Sequence, residues 1–401
     1  MQGGKTVTSG EYSERKRCRL VVPAPQSFAM RIIFAAGGTG GHINPALAAA
    51  GEIRERFPEA EILFVGTKDK MEARLVPAAG FDFKTIEISG FYRQLTPENI
   101  KRNIKTLAHL LSSSKQARKI ICDFRPDVVV GFGGYVSGPV LREAQKLSIP
   151  TAIHEQNAYP GITNKALAKR ADKVMLAVEK AAQFLDCKNE PVVTGLPVRG
   201  EMLKANRTLS REELGVKDGQ TLVLSMGGSL GAEAVNKAMV ELIAANCSNK
   251  NLYFLHATGQ YGLWVPDKLR EAGVDPDKTD NVEIREYIND MARCMSAADI
   301  VICRAGASSL SEIEALGKAS ILVPSPNVAE NHQYHNAMAL VEKNAALLIE
   351  EKDLTVSALQ EAFDSLAGDR AKLEETAKNA KSLAIGDAKE KIADIIVSLA
   401  Q

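Results

Sequence analysis

The chain has 401 residues, 45% of them apolar and 25% charged, with a net charge of +1. That length exceeds one ordinary hydrophobic core, so two domains are expected. The composition is that of a soluble globular protein, and near-neutral charge excludes a nucleic-acid binder by bulk electrostatics. The six cysteines (Cys18, Cys122, Cys187, Cys247, Cys294, Cys303) show no CxxC or paired spacing, which indicates reduced thiols in a cytosolic protein, and no apolar run reaches membrane-spanning length.

Residues 1–29 are polar, with a basic cluster at Arg15, Lys16, Arg17 and Arg19, and lack the apolar core of a signal peptide. They read as a disordered extension, with Met30 a candidate start just before the first strand. From Met30 the chain alternates strand-like runs with amphipathic helical patterns: RIIFAA (31–36), EILFVG (61–66), DVVVGF (127–132), IPTAIH (149–154) and KVMLAV (173–178). β-Branched runs divided by helices indicate a parallel sheet covered on both faces. The pattern restarts with TLVLSM (221–226), LYFLHA (252–257), VEIREY (282–287), ADIVICR (298–304) and ASILVP (319–324). The expected fold class is therefore α/β, with two doubly wound parallel-sheet domains. GLPVRGEM (195–202) interrupts the pattern, so the domains are placed at 30–198 and 199–381, and a last helix over about 382–401 is expected to cross back onto the first.

An internal echo supports this division. IIFAAGGTGGHINPALA (32–48) and LVLSMGGSLGAEAVNKA (222–238) share an apolar strand, a Gly-Gly-hydroxyl-x-Gly turn and a helix. Gly37, Gly38 and Gly41 correspond to Gly227, Gly228 and Gly231 at one constant offset. A third strand runs into glycines at DVVVGFGGYVSGPV (127–140). A glycine turn between strand and helix aims backbone N–H groups and the positive helix end at one spot, which suits a phosphate; the bland alternative is a tight turn without ligand. Neither GGTGGHI nor GGSLGAE fits the dinucleotide fingerprint, so a nucleotide sugar, a diphosphate and a lipid phosphate all stay open.

In CRAGASSLSEIEALG (303–317) a strand end opens a helix with hydroxyls in its first turn. Its Glu312 suits a ribose diol or, equally on spacing, a capping box. In NHQYHN (331–336), His332 and His335 at i, i+3 suit a metal pair or, with no third ligand near, a polar pocket lining. The only D-x-D match, Asp275-Pro276-Asp277, falls in a polar stretch read as a loop, so no essential metal ion or other cofactor is expected.

Taken together, GGTGGHINPALA, GFGGYVSGP, HEQNAYPGITNKALAK, GLPVR, GGSLGA, RAGASSLSEIEALGKASILVP and NHQYHNA resemble, in order, the signature blocks of the bacterial peptidoglycan N-acetylglucosaminyltransferase family known as MurG. The resemblance spans about residues 31–340. It implies a GT-B glycosyltransferase fold, two Rossmann-like domains facing a cleft. It also implies inverting transfer of N-acetylglucosamine from UDP-GlcNAc to the 4-hydroxyl of MurNAc in lipid I, giving lipid II, with the donor mainly on the C-terminal domain and the acceptor on the N-terminal one. By position, Thr39, Gly40, Gly41, Asn157, Arg199 and Ser229 match donor-contacting residues. Ile288 matches the residue at the uracil, the run Ala307, Ser308, Ser309, Leu310, Ser311 and Glu312 the diphosphate and ribose segment, and Gln333 a glutamine near the sugar. The chain departs from the family pattern at His332, where many members carry a glutamine, and at Ser309, where threonine is common.

The acceptor hydroxyl needs a base. His42, just past the first glycine turn, is the candidate, as base or as acceptor-orienting group; the alternative is a helix-capping or phosphate-binding histidine. His154 and Glu155, at a strand end, are a second candidate pair or a structural one. Gly133, Gly134, Tyr135 and Ser137 in the third turn are candidates for the acceptor diphosphate. Over 90–121, Ile100, Ile104, Leu107 and Leu111 share a helical face, flanked by Arg93, Lys101, Arg102, Lys105, Lys115, Arg118 and Lys119 and close to Phe91, Tyr92 and Leu95. With the family resemblance, this face implies a peripheral protein on the cytoplasmic surface of the cell membrane. Two rivals share the glycine turns: a nucleotide-sugar epimerase of the same fold, and a non-catalytic nucleotide-sugar-binding protein at the membrane.

Overall fold

The computed structural model describes residues 29–88 and 112–401. The extension at 1–28 and most of the apolar–basic face, from Phe91 to Leu111, lie outside the described residues. Among the described residues thirteen strands fall into two parallel sheets. The first holds β1 (Arg31–Ala35), β2 (Glu61–Gly66), β3 (Asp82–Thr85), β4 (Val128–Gly131), β5 (Thr151–Glu155), β6 (Lys173–Leu176) and β7 (Val192–Val193), in spatial order 3-2-1-4-5-6-7. The second holds β8 (Thr221–Met226), β9 (Leu252–Ala257), β10 (Val282–Arg285), β11 (Ile300–Cys303), β12 (Ala319–Leu322) and β13 (Leu347–Leu348), in order 10-9-8-11-12-13. The central runs are strands because they are buried on both faces: Ile32, Ile33, Phe34 and Ala35 are each 0% exposed. The short strands β3, β7 and β13 sit at the sheet edges and are partly or wholly exposed, so no buried apolar run announced them.

Each sheet changes winding direction beside its first strand, between β1 and β4 in one half and between β8 and β11 in the other. The crevice beyond strand carboxyl ends at such a switch point is where α/β sheets bind ligands. The glycine turns after β1 and β8 both open there. Aromatic stacking stiffens the first switch point from below, with ring centroids of Phe34 and Phe64 at 5.1 Å and of Phe34 and Phe132 at 5.9 Å.

The chain then returns. The helix Arg370–Ser382 packs on the second half, and a separate helix, Ala388–Ala400, packs on the first. Within 382–401 the structure holds one helix, Ala388–Ala400, which begins after a break around Gly386 where the chain changes partner. Ile392, Ala393 and Ile396, all 0% exposed, share a core with Ala46, Ala49, Ala50 and Ile53 of the helix Gly40–Arg56. Ion pairs Lys389–Glu52 and Arg56–Asp394, each at 2.7 Å, flank the seam. Where the return crosses the linker, Gly195 (φ +77°) lies beneath Ile385, so close that a Cβ there would approach the Ile385 Cβ to 2.7 Å.

Candidate functional site

The first and second glycine turns have one backbone shape. Gly38 takes φ +90° and Gly228 φ +92°, a region that favours glycine. After β8 the turn is open. Gly227, Gly228 and Gly231 line a cleft of about 560 Å³ with Arg304, Gly306, Ser309 and Gln333. The helix Ala307–Leu316 points its start into this cleft with Gly306 at the N-cap and no capping side chain, so its first amides face the opening.

Glu312 lies six residues past that N-cap, which removes the capping-box reading. It is 8% exposed. Burial pushes its carboxyl above the ordinary range, and Arg199 holds it down in part. Arg199 Nε donates to Glu312 Oε1 at 3.0 Å, with Nη2 2.9 Å from the same oxygen. Gln333 Oε1 accepts the Ser325 N–H at 2.9 Å. Ser229 stands exposed at the tip of the second turn. Ile288 and Leu310 are buried in the core, 3% and 4% exposed, so only their backbone is open to a ligand.

On the other side of the crevice, Thr39 is exposed and Gly40 and Gly41 begin the helix Gly40–Arg56. His42 Nδ1 is 3.1 Å from the Gly37 carbonyl oxygen and 3.4 Å from Thr39 Oγ1. A carbonyl only accepts, so Nδ1 carries the proton and Nε2 carries the lone pair. Burial lowers the His42 pKa below its ordinary 6.5; the Gly37 bond, Glu155 and Glu72 act upward, His332 downward. The third turn packs directly on the first. A Cβ on Gly134 would lie 2.3 Å from Gly37 O, and one on Gly133 2.8 Å from the His42 ring.

That packing corrects one candidate. The Ser137 hydroxyl is 0% exposed and lies among Ala35 O (2.9 Å), Gly133 O (2.8 Å) and the Gly133 N–H (3.1 Å), so it ties the loop to β1 and offers nothing to a ligand. Gly133 is buried with it, whereas Gly134 is half-buried and Tyr135 60% exposed. His154 and Glu155 are also structural. His154 Nε2 bonds Gly195 O at 3.0 Å, and burial lowers its pKa to about 4. Glu155 accepts from the Asn157 N–H, Asn157 Nδ2, the Gly161 N–H and Asn164 Nδ2. His332 and His335 do not pair on a metal: His332 Nδ1 meets Ala329 O at 2.8 Å, while the His335 ring stacks on Tyr159 at 4.7 Å. Asp275 and Asp277 are tied to Arg270. Among the described residues no three His, Cys, Asp or Glu side chains gather as a metal ion requires.

The two halves also clasp beside the crevice. Asn336, 2% exposed, accepts the Ala158 N–H at 2.8 Å and donates to Asn157 Oδ1 at 3.1 Å and to Ala305 O at 3.2 Å. Sequence reasoning read the NHQYHN run for its histidines and missed this bridge, as it missed Arg304 and Glu72, each of which has a partner distant in the chain. On the helical stretch 112–124, Ala117, Ile120 and Ile121 face the core, and Lys115, Arg118 and Lys119 face outward. Lys119 pairs with Asp123 and Arg118 with Glu143.

The glycosyltransferase family 28 N-terminal domain profile matches residues 32–176, and the C-terminal domain profile matches residues 222–396. A UDP-N-acetylglucosamine--N-acetylmuramyl-(pentapeptide) pyrophosphoryl-undecaprenol N-acetylglucosamine transferase of Acetivibrio thermocellus is 46% identical over 369 residues, 92% of this chain and 97% of that protein. A protein of the same name from Bacillus cytotoxicus is 41% identical over 370 residues, covering 92% and 99%. Among solved structures, Acinetobacter baumannii MurG aligns with a TM-score of 0.75 at 30% identity, covering 92% of this chain and 99% of that one. A UDP-GlcNAc 2-epimerase from Neisseria meningitidis bound to UDP-GlcNAc aligns at 0.62 with 15% identity, a likeness of fold.

Proposed function

The chain belongs to glycosyltransferase family 28, and from that premise we propose that it is a MurG-type hexosyltransferase. It moves N-acetylglucosamine from UDP-GlcNAc to the lipid-linked N-acetylmuramyl-pentapeptide acceptor of peptidoglycan synthesis. The observation that carries the mechanism is His42, its Nδ1 proton committed to Gly37 and its Nε2 lone pair without a hydrogen-bond partner among the described residues, together with an open, amide-lined cleft in the other half.

The donor diphosphate is placed against the 227–231 turn and the start of the helix Ala307–Leu316, where backbone dipoles disperse the charge that develops on leaving UDP. Glu312 accepts from the ribose hydroxyls, and Arg199 keeps its carboxylate ionised and aimed. The Ile288 backbone meets the uracil, and Gln333 the sugar. Ser229, Asn157 and the 39–41 segment complete the donor side. The acceptor lies over Gly134 and Tyr135. As its 4-hydroxyl oxygen bonds the anomeric carbon, Nε2 of His42 takes the hydroxyl proton and the bond to the UDP oxygen breaks on the opposite face, inverting that carbon.

The acceptor's lipid places the enzyme at the cytoplasmic face of the cell membrane. Among the described residues no helix is long and apolar enough to cross a bilayer, and the outward cations Lys115, Arg118 and Lys119 support contact with an anionic surface. Reversing those three charges is expected to release the protein from anionic vesicles; undiminished binding refutes the contact. The activity is tested with labelled UDP-GlcNAc and a lipid I analogue. A disaccharide-linked lipid product supports the reading, whereas UDP-N-acetylmannosamine or free UDP made without acceptor establishes the epimerase instead.

A further inference from the structure

The inside of the first glycine turn is already filled. Glu72, 0% exposed at the start of the helix Glu72–Ala78, places its carboxylate there. Its Oε2 accepts the Gly38 N–H at 3.1 Å, and its Oε1 accepts the Thr67 N–H at 3.1 Å and the Thr67 hydroxyl at 2.6 Å. Two glycines are bare on its account: a Cβ on Gly37 would stand 2.6 Å from Glu72 Oε1, and one on Gly66 2.6 Å from its Cγ. The anion of this nest is the protein's own, so the Gly38 amide is not available to a substrate phosphate.

The Gly38 N–H and the Gly37 C=O belong to one peptide unit, and a trans peptide points them in opposite directions in one plane. Glu72 holds the N–H end. The Nδ1 proton of His42 sits on the C=O end, at 3.1 Å. Gly134 packs on the same carbonyl, so the peptide has no room to turn over. We infer that Glu72 is the positioning residue for His42, acting through the Gly37–Gly38 peptide as a carboxylate–peptide–imidazole relay that fixes the ring tautomer with Nε2 toward the acceptor hydroxyl. A carboxylate on the N–H end polarises the peptide and strengthens its carbonyl as an acceptor, since hydrogen bonds in series reinforce one another at low dielectric. No atom changes hands in the relay; the proton taken from the acceptor rests on Nε2.

The inference rests on reading His42 as the base, and its test separates the two. Glu72→Gln keeps the shape but turns an NH₂ toward donors that need an acceptor. The expected result is a kcat lower by about 10- to 100-fold, part of the roughly 10²–10⁴ that a positioned base supplies, with KM for UDP-GlcNAc within about twofold. The charged and titratable groups acting on His42 are Glu72, Glu155 and His332. Removing the first lets burial and His332 weigh more, so the acid limb of kcat/KM moves to lower pH. Nitrogen-15 shifts of the His42 ring should change from one Nδ1–H tautomer to a mixture. If Glu72→Gln does not fold, Thr67→Val deletes one donor to the carboxylate and should lower kcat several-fold in the same pattern. Unchanged kcat, pH limb and tautomer overturn the relay, as does a rise in donor KM that accounts for the loss, which would return the turn to phosphate binding. His42→Ala is the control: normal turnover removes the base and the relay together, whereas a dead His42→Ala beside an unaffected Glu72→Gln or Thr67→Val removes the relay alone.

Discussion

The turns after β1 and β8 share a motif and a backbone conformation but differ in what stands opposite. Glu72 fills the first from inside, while the second opens onto a cleft of about 560 Å³. The glycine device is thus neutral as to use. A nest of N–H groups holds whichever anion the rest of the fold supplies, and here one half supplies a side chain where the other leaves room for a ligand. Their continuations differ as well. Gly41 is already helical, whereas Gly231 keeps φ +86° and abuts the Thr258 carbonyl, delaying its helix to Glu233.

The sharpest test of this division is His42→Ala. Turnover should fall by about 10²- to 10⁴-fold while calorimetric UDP affinity holds, because the base serves the first half's chemistry and not the second half's grip. Next is acid. Among the described residues each half carries one fully buried histidine, His154 and His256, whose pKa burial lowers to about 4. The unfolded chain therefore binds protons that the folded one refuses between about pH 6.5 and pH 4, and stability falls as pH falls through that window, by about 3 kcal/mol for each. Denaturant titrations at pH 7 and pH 4.5 check this. The halves should diverge in detail, since His154 meets Gly195 and Gln156 while His256 Nε2 has no partner among the described residues.

A matched pair of alanines then separates the turns. Gly38→Ala and Gly228→Ala carry similar backbone strain, about 1–2 kcal/mol, and both new methyls enter open space. Gly228→Ala should raise the donor KM at least about tenfold by holding the phosphates off the amides, while Gly38→Ala should leave it within about twofold. Equal effects on donor KM would erase the distinction. The smallest effect is expected from Arg199→Ala. Without the guanidinium, burial acts on Glu312 unopposed and its pKa rises further, so the donor KM should worsen as pH falls and recover as it rises. A pH-independent KM would deny Glu312 its place on the ribose.

The central strands and the glycine turns were legible because buried β-branched runs and strand–glycine–helix junctions are local in sequence. The edge strands β3, β7 and β13 were not, for they bury no continuous apolar run. At the site, the motif around Ser309, Glu312 and Gln333 marked the cleft wall. What occupies a turn was invisible, because Glu72 lies 34 residues beyond the amide it holds and reads in isolation as an ordinary first-turn acid. Ser137 shows the converse: a hydroxyl in a phosphate-like context that folding turned inward.

The seam between the helix Ala388–Ala400 and the helix Gly40–Arg56 sets a timetable for biosynthesis. While the ribosome is still making the second half, Ala46, Ala49, Ala50 and Ile53 have emerged without the residues that cover them. The nascent first half stays sticky through most of translation, in need of a chaperone or a pause, and matures only after its companion is complete. Newly made chains stalled before residue 388 should bind a hydrophobic dye that full-length ones reject.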